Sequence, residues 1–256
     1  MMNSKSVIKF ARSNTPHVKT TNKDGWLRHD VTSLLDGDKN IGIELGVAEG
    51  IYARRMIESN KFKRFYGVDI YNDIHDTEEY CQTLKYIGFK DPRYSLFRMD
   101  FESATTLFED EYFDFIYIDG FAHTGEEGGK TLQQWYEKLK IDGVLAGDDY
   151  HDDWPLVKWA VNDFVLQIGA ELNVTTGKED GDYSKYPTWF IVKKDNNIKP
   201  VLNQNLYKVA MNEKKRIHSL RVGKRRQAIR IIAKILSVFG LKGIAQSGLN
   251  FIRKLS

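Results

Sequence analysis

Acidic side chains close five short β-rich runs of this sequence. Carboxylates in such places hold hydroxyl groups, cationic ligands or divalent metal ions, and they accept protons. If the runs are parallel strands, these acids meet in one crevice beyond the carboxyl ends of the sheet. The five strand ends carry Glu44, Asp69, Asp100, Asp119 and the pair Asp148-Asp149.

The turn after the first run reads ELGVAEG over residues 44–50. Gly46 and Gly50 allow a tight turn and a close approach of the backbone to a ligand. The phosphate-binding patterns G-x-G-x-x-G and G-x-x-x-x-G-K-[ST] are absent. Glu44 and Glu49 would repel a pyrophosphate and favour a cationic or zwitterionic ligand. Asp69 is placed to accept hydrogen bonds from ribose hydroxyls, and Asp100 could reach an adenine edge.

Three further acids, Asp119, Asp148 and Asp149, end adjacent predicted strands. Unpaired carboxylates at short range raise one another's pKa, and a hard divalent cation such as Mg²⁺ removes that conflict. The alternative is that Asp148 or Asp149 caps a helix or pairs with a lysine.

Two histidines are candidates for a general base. His123 lies four residues after Asp119, and its imidazole titrates near neutrality. His151 follows the acidic pair and is a rival base or substrate contact. Lys130 is expected on the solvent face of a helix. A structural role for either histidine stays open.

Alternating strands and helices must position these residues. Such an alternation predicts an α/β fold with parallel crossovers and a sheet covered on both faces. Strands are expected at 40–46, 65–70, 94–100, 113–119, 143–149 and 188–194, and helices at about 50–60, 75–88, 126–140 and 154–169.

Composition narrows the class of protein. The 256 residues are 41% hydrophobic, so the chain can bury a sizeable core. The single cysteine, Cys81, excludes an internal disulfide and a cysteine-built zinc site. No apolar run is long enough to span a bilayer, and residues 1–17 lack the apolar stretch of a secretory signal. A soluble, cytoplasmic protein is expected.

Charge divides the chain into an acidic body and a basic tail. Residues 1–200 carry a net charge of −9 and residues 201–256 one of +12. Within 214–256, Ile231, Ile232 and Ile235 fall on one helical face and Arg226, Arg230 and Lys234 on another, which is typical of an amphipathic helix at an anionic membrane surface. Docking on the body or on a second subunit is the alternative. Nucleic acid binding is disfavoured because aromatic residues are not interleaved.

The motif E-x-G-x-x-x-G at Glu44–Gly50, with an acid ending the second strand, resembles the class I S-adenosylmethionine-dependent methyltransferases. The stretch Ile118–Tyr150, with Asp119, His123 and the sequence DGVLAGDDY, is similar to macrocin-type sugar O-methyltransferases and related polysaccharide-locus enzymes. The resemblance covers residues 38–195. It implies a doubly wound Rossmann-like sheet of seven strands whose last strand is antiparallel.

The resemblance also implies roles for the acids. Glu44, Gly46 and Gly50 would line the methionine side of S-adenosylmethionine, Asp69 would hold the ribose, and Asp100 would lie near the adenine. Asp119 would serve both cofactor and catalysis. Asp119, Asp148 and Asp149 would ligate Mg²⁺, which orients neighbouring acceptor hydroxyls.

Residues 119–123 depart from the related pattern Asp-Gly-x-His. The segment is one residue longer here, and Phe121 replaces a second acid seen in some sugar enzymes. His151 is therefore kept as the rival candidate for the base.

The expected organisation is an N-terminal cap at 1–37, a methyltransferase domain at 38–200 and a basic helical C-terminal extension at 201–256. Trp26, Arg28 and His29 would cover the crevice, beside a mobile loop at 177–186.

The expected function is O-methylation of a sugar or glycan. If the tail binds the inner face of the cell membrane, the expected acceptor is a lipid-linked glycan. A metal-free small-molecule methyltransferase and a catalytically silent binding subunit are the alternatives. Assembly into a homo-oligomer is a further alternative to a monomer.

Overall fold

A computed structural model describes residues 4–72, 75–179 and 183–220 of the chain. Eight strands form one sheet in the order β1-β7-β8-β6-β5-β2-β3-β4. Their bounds are β1 Thr20–Lys23, β2 Asn40–Leu45, β3 Phe62–Asp69, β4 Tyr94–Arg98, β5 Phe113–Ile118, β6 Leu139–Gly147, β7 Leu172–Thr175 and β8 Trp189–Val192.

The strand order places a switch point at the centre of the sheet. Strand β2 lies between β3 and β5 and is parallel to both, so the chain winds outward in opposite directions from it. The loops after β2 and β5 therefore part at this point and leave a crevice, where ligands bind in open α/β sheets. Strand β8 is antiparallel to β6 and β7.

Helices cover the sheet and begin at recognisable signals. The side chain of Ser4 caps the first helix, that of Asp76 the third and that of Asp100 the fourth, while Pro155 opens the helix that ends at Ile168. The α-helices include Lys5–Asn14, Ile51–Glu58, Thr77–Thr83, Phe101–Thr105, Lys130–Tyr136 and Pro155–Ile168, with a π-helical turn Leu84–Gly88 and 3-10 turns at Asp30–Leu34 and Ala122–Thr124. Residues 204–211 are helical as well.

The hydrophobic core has two parts because strand side chains alternate between the faces of the sheet. Phe115 and Tyr117 of β5 belong to one cluster, and Ile116 and Ile118 belong to the other. All four are fully buried. The continuous apolar run of β5 is typical of a parallel strand with both faces covered.

The expected count of seven strands is wrong, because the sheet has eight. The additional strand is β1, whose residues pair in parallel with β7 from Thr20 opposite Leu172 to Lys23 opposite Thr175. Part of the expected N-terminal cap is therefore an edge of the sheet.

The expected helix at 126–140 also begins later, at Lys130. The preceding turn, Gly125–Gly128, has left-handed backbone angles, with φ values of 54° at Glu126 and 51° at Glu127.

The chain divides into two compact units, Met1–Met211 and Asn212–Ser256. The first contains the whole sheet. Of the second, the described residues 212–220 are helical, with an ion pair between Arg216 and Glu213. The rest of the predicted amphipathic segment, residues 221–256, lies outside the described residues. Within the described part of the chain, the helices are too short or too polar to cross a membrane.

Candidate functional site

The glycine loop after β2 is held in place by Asp69, at the end of β3. Its Oδ2 atom accepts hydrogen bonds from the backbone amides of Val47 at 2.9 Å and Ala48 at 3.0 Å, and its Oδ1 atom accepts one from Tyr71 at 3.1 Å. Gly46 and Ala48 both have positive φ values, 96° and 47°. Three charge-assisted hydrogen bonds thus offset the strain of the turn and fix the loop in one conformation.

Two hydroxyl groups bind the same loop from the other side. The carbonyl oxygen of Ala48 accepts hydrogen bonds from Tyr71 at 2.8 Å and from Thr83 at 2.7 Å. A side chain on Gly50, whose φ is 79°, would stand 3.0 Å from a methyl group of Thr83. The glycines of the motif are therefore required by backbone conformation and by packing.

Glu44, on β2, is a buried carboxyl with an unused hydrogen-bond acceptor. It is 1% exposed, and no described group hydrogen-bonds its Oε2 atom. Burial raises its pKa well above the ordinary value, and Asp119 raises it further, while Arg28 lowers it. An unsatisfied buried acceptor is costly unless a ligand supplies the donor, so Glu44 fits a cationic group.

A buried arginine joins the acids that end β5 and β6. Nη2 of Arg28 pairs with Oδ2 of Asp119 and lies 3.3 Å from Oδ2 of Asp148. The Arg28 side chain is 8% exposed. Burial raises the pKa of Asp148 to about 7, although Arg28 lowers it. One guanidinium therefore connects two of the three acids predicted to bind metal.

The predicted magnesium site does not fit this arrangement. Mg²⁺ needs about six oxygen ligands in octahedral geometry, whereas oxygens of Asp119 and Asp148 face a guanidinium here. No three His, Cys, Asp or Glu side chains of residues 4–72, 75–179 and 183–220 are grouped so that they could hold a metal ion. The expectation of ligands at Asp119, Asp148 and Asp149 is corrected accordingly, because Arg28 supplies the compensating charge.

Asp149 and Glu126 extend the acidic cluster. Burial, followed by the neighbouring Asp148, raises the pKa of Asp149 to about 8. Glu126 is 2% exposed, and its Oε2 atom has no described hydrogen-bond partner. Burial and then Asp149 raise the pKa of Glu126 well above its ordinary value. Glu126 is thus a fourth acid of this edge, one that the sequence analysis missed.

Glu126 stands on a strained turn. Residues 125–129 all have positive φ, between 51° and 87°, which costs roughly 1–2 kcal/mol for each residue other than glycine. The tight approach of helix Pro155–Ile168 explains one glycine, because a Cβ on Gly125 would stand 2.2 Å from the carbonyl oxygen of Leu156. Three of these five residues are glycines, which is the sequence feature that indicates a turn and not a helix here.

The two candidate bases lie in different surroundings. His123 is half-buried in the turn Ala122–Thr124 and makes an edge-to-face contact with Trp154, with ring centroids 4.9 Å apart. His151 is exposed, and its Nδ1 atom lies 3.5 Å from Oδ2 of Asp153. Lys130 pairs with Glu102 at 2.7 Å. Which group takes a proton stays a prediction.

Asp100 has a structural role. Its Oδ1 atom accepts a hydrogen bond from the backbone amide of Ser103 at 2.8 Å, and its Oδ2 atom accepts one from the Ser103 hydroxyl at 2.7 Å. The backbone hydrogen bond, followed by the side-chain one, lowers the pKa of Asp100. The predicted contact with adenine is not tested by these bonds.

The predicted cover of the crevice divides into packing and binding residues. The ring of Trp26 stacks on Phe190 with centroids 6.0 Å apart, whereas Arg28 enters the crevice. His29 lies 3.3 Å from Nη1 of Arg55, which also forms an ion pair at 2.8 Å with Glu179. The described parts of the expected loop at 177–186 are thus anchored to the body; residues 180–182 lie outside the described residues.

Comparison with protein families supports the class that the sequence resembles. Residues 43–150 match the family model described as a methyltransferase domain, a segment of less than half of the chain. It includes Glu44, the glycine loop and the acids that end β3 to β6. The match supports an S-adenosylmethionine-dependent methyltransferase fold for this segment. Comparison with curated proteins gives no significant match.

Comparison with solved structures gives similarities at low sequence identity. The chain is similar to a spermidine synthase from Thermotoga maritima, at 20% identity over 68% of this chain and 61% of that chain, with a TM-score of 0.49. It is also similar to the CurJ carbon methyltransferase, at 12% identity over 62% and 50% of the two chains, with a TM-score of 0.47. The chain spans about three fifths of the length of the two spermidine synthases it matches. At these identities and scores the likenesses assign no activity.

Proposed function

We propose that this chain transfers a methyl group from S-adenosylmethionine to a hydroxyl group of a sugar or glycan. One observation carries the proposal: Glu44 is buried, with an Oε2 atom that no described group hydrogen-bonds, two residues before a loop locked by Asp69. A cationic ligand relieves that cost. The family match over residues 43–150 supports the same class of cofactor.

The residues of the crevice fit the proposed cofactor. Glu44 would accept hydrogen bonds from the α-ammonium group of S-adenosylmethionine. Oδ1 of Asp69 accepts one backbone hydrogen bond and retains a lone pair for a ribose hydroxyl. When bound, the cofactor supplies an electrophilic methyl group on a positively charged sulfonium. The surrounding acids favour that charge.

The acceptor would enter at the end of β6. The Asp149 side chain accepts no hydrogen bond from the described residues, and it is available to orient an acceptor hydroxyl and take its proton. His123, packed against Trp154, is the second candidate for that proton. No step is assigned to a metal ion, because Asp119 and Asp148 are engaged with Arg28.

The test is transfer of a labelled methyl group from S-adenosylmethionine to nucleotide sugars and to phenols, in EDTA. Labelled sugar products are expected. Transfer to phenols alone would support the small-molecule alternative. Cofactor binding with no transfer to any hydroxyl compound would contradict the proposed reaction and support a silent binding subunit.

We also propose that residues 214–256 hold the enzyme at an anionic membrane surface, where a lipid-linked acceptor is available. Support comes from the sequence of this segment, which contains 12 Lys and Arg residues and no acid. The test compares the full chain with a chain ending at residue 213 in flotation with vesicles of anionic or neutral lipid. Flotation that does not depend on the segment would contradict the proposal.

A further inference from the structure

Arg28 reaches the carboxyl edge of the sheet from outside the matched methyltransferase segment. It lies between β1 and β2 in the sequence, fifteen residues before the start of the family match. Its guanidinium nevertheless contacts the acids that end β5 and β6, Asp119 and Asp148. The N-terminal segment therefore contributes a charged group to the crevice.

The guanidinium is built into this place by several contacts. Nε donates a hydrogen bond to the Tyr117 hydroxyl at 3.0 Å, and Nη1 donates one to the Tyr183 carbonyl at 3.0 Å. The rings of Tyr52, Tyr117 and Tyr183 surround the Cζ atom at 5.0–5.1 Å from their centroids. Contacts of this kind stabilise a desolvated cation, so Arg28 is held in the crevice and not on the surface.

The charges explain what this cation does. Asp119 and Asp148 end adjacent strands and would repel each other in a buried site. A divalent ion removes such a conflict by binding both carboxylates. Arg28 removes it with one positive charge and directed hydrogen bonds, and it leaves Asp149 without a described hydrogen-bond partner.

We propose that Arg28 is a built-in cation, which takes the place of a divalent metal between Asp119 and Asp148 and so positions the acids of a metal-independent site. Arg28 acts here as a positioning residue. The inference rests on the proposed function only in assigning this edge to the acceptor.

The proposal predicts that removing the guanidinium changes what the acids bind. Without Arg28, two carboxylates and the nearby Asp149 are left uncompensated and become available to a metal ion. Arg28→Met removes the charge and retains an unbranched apolar side chain, whereas Arg28→Lys retains the charge. Arg54→Met is the matched control, since Arg54 pairs on the surface with Glu58.

The experiment follows free Mn²⁺ by electron paramagnetic resonance as each full-length protein is added. The wild type, Arg28→Lys and Arg54→Met are expected to leave the free-ion signal unchanged. Arg28→Met is expected to remove one equivalent of it, and a second substitution, Asp148→Asn, is expected to restore the signal. Should Arg28→Met fail to fold, Arg28→Gln carries the same expectation.

Two results would overturn the proposal. One is a Mn²⁺ site in the wild type that Asp148→Asn abolishes, since the metal would then compete successfully with Arg28. The other is a folded Arg28→Met or Arg28→Gln protein that binds no Mn²⁺. Titration of S-adenosylmethionine into the same samples tests the proposed function separately. A wild type that binds no cofactor would contradict the proposed function but not the role of Arg28.

Discussion

Gly46 and Asp119 approach each other so closely that no side chain fits between them. A Cβ atom on Gly46 would stand 2.0 Å from the carbonyl oxygen of Asp119, and the amide of Asp119 donates a hydrogen bond of 2.8 Å to Leu45. The end of β5 thus fixes the start of the glycine loop. The fold itself therefore requires a glycine at position 46, whether or not a ligand is bound.

Gly46→Ala is expected to destabilise the protein by about 3 kcal/mol or more, because it combines a backbone clash with an unfavourable positive φ. Gly37→Ala is the matched control. Gly37 also has a positive φ, 62°, but a Cβ atom added there would meet nothing within 4 Å. It should cost only about 1 kcal/mol. Denaturant unfolding measures both, and equal losses would contradict the role given to Asp119.

Asp69→Asn is expected to weaken binding of S-adenosylmethionine and to lower the free energy of unfolding by roughly 1–3 kcal/mol. One carboxylate oxygen becomes an amide nitrogen, which cannot accept a hydrogen bond, so either the bond from Tyr71 or the two from Val47 and Ala48 are lost. Calorimetric titration and urea unfolding check the two effects.

Asp100→Asn is the control for the Asp69 variant. Asn is also a good N-cap residue, so the exposed cap at Asp100 should lose at most a few tenths of a kcal/mol. Cofactor affinity that is unchanged in Asp69→Asn would show that the loop does not depend on this carboxylate.

Glu126→Gln is expected to stabilise the protein at neutral pH. A glutamate in an unfolded chain has a pKa of about 4.3, and burial raises the pKa of Glu126 in the folded protein above that value. The stability it contributes is therefore fully present below about pH 4.3 and is lost as the pH rises through the folded pKa. The advantage of Glu126→Gln should therefore grow as the pH rises from about 4.3 toward the raised folded pKa.

Glu127→Gln controls for an amide in the same left-handed turn, since Glu127 has a similar φ of 51°. Urea unfolding at several pH values is the measurement. A Glu126→Gln advantage that shrinks as the pH rises would contradict the direction assigned to its pKa.

Asp149→Asn is expected to lower methyl transfer by roughly 10²–10⁴-fold while cofactor affinity stays within a few-fold of the wild type. The reason is that the proposed function assigns Asp149 to the acceptor and Glu44 to the cofactor. His123→Gln tests the rival base in the same assay. If only the histidine variant loses activity, the proton is taken by His123.

The sequence predicted the central sheet well because its signals are strong. Strands β2 to β6 are apolar runs closed by acids, and each appears near its predicted position. Strands β1 and β7 have four residues each, and TTNK and LNVT carry no long apolar pattern. Strand β1 forms by pairing with β7, and β7 pairs with β8 on its other side, interactions that local sequence does not reveal.

The sequence predicted that acids end neighbouring strands, but it did not predict that Arg28 pairs with Asp119 and Asp148. The acids at the strand ends follow from the periodicity of the sheet. Arg28 was predicted to cover the crevice, but its ion pairs depend on how the N-terminal segment folds over the sheet, which no local pattern encodes. Glu126 escaped notice because residues 125–129 resemble a helix in spacing, although three glycines among them allow a left-handed turn.

In the proposed function, the crevice binds S-adenosylmethionine through Glu44. Calorimetric titration of the cofactor into the full-length wild type and into Glu44→Gln, both in EDTA and in Mg²⁺, tests it most directly. We expect saturable binding by the wild type that is equal in the two buffers, and a loss of at least about tenfold in affinity for Glu44→Gln. No binding by the wild type in either buffer, or equal binding by the two proteins, would contradict it.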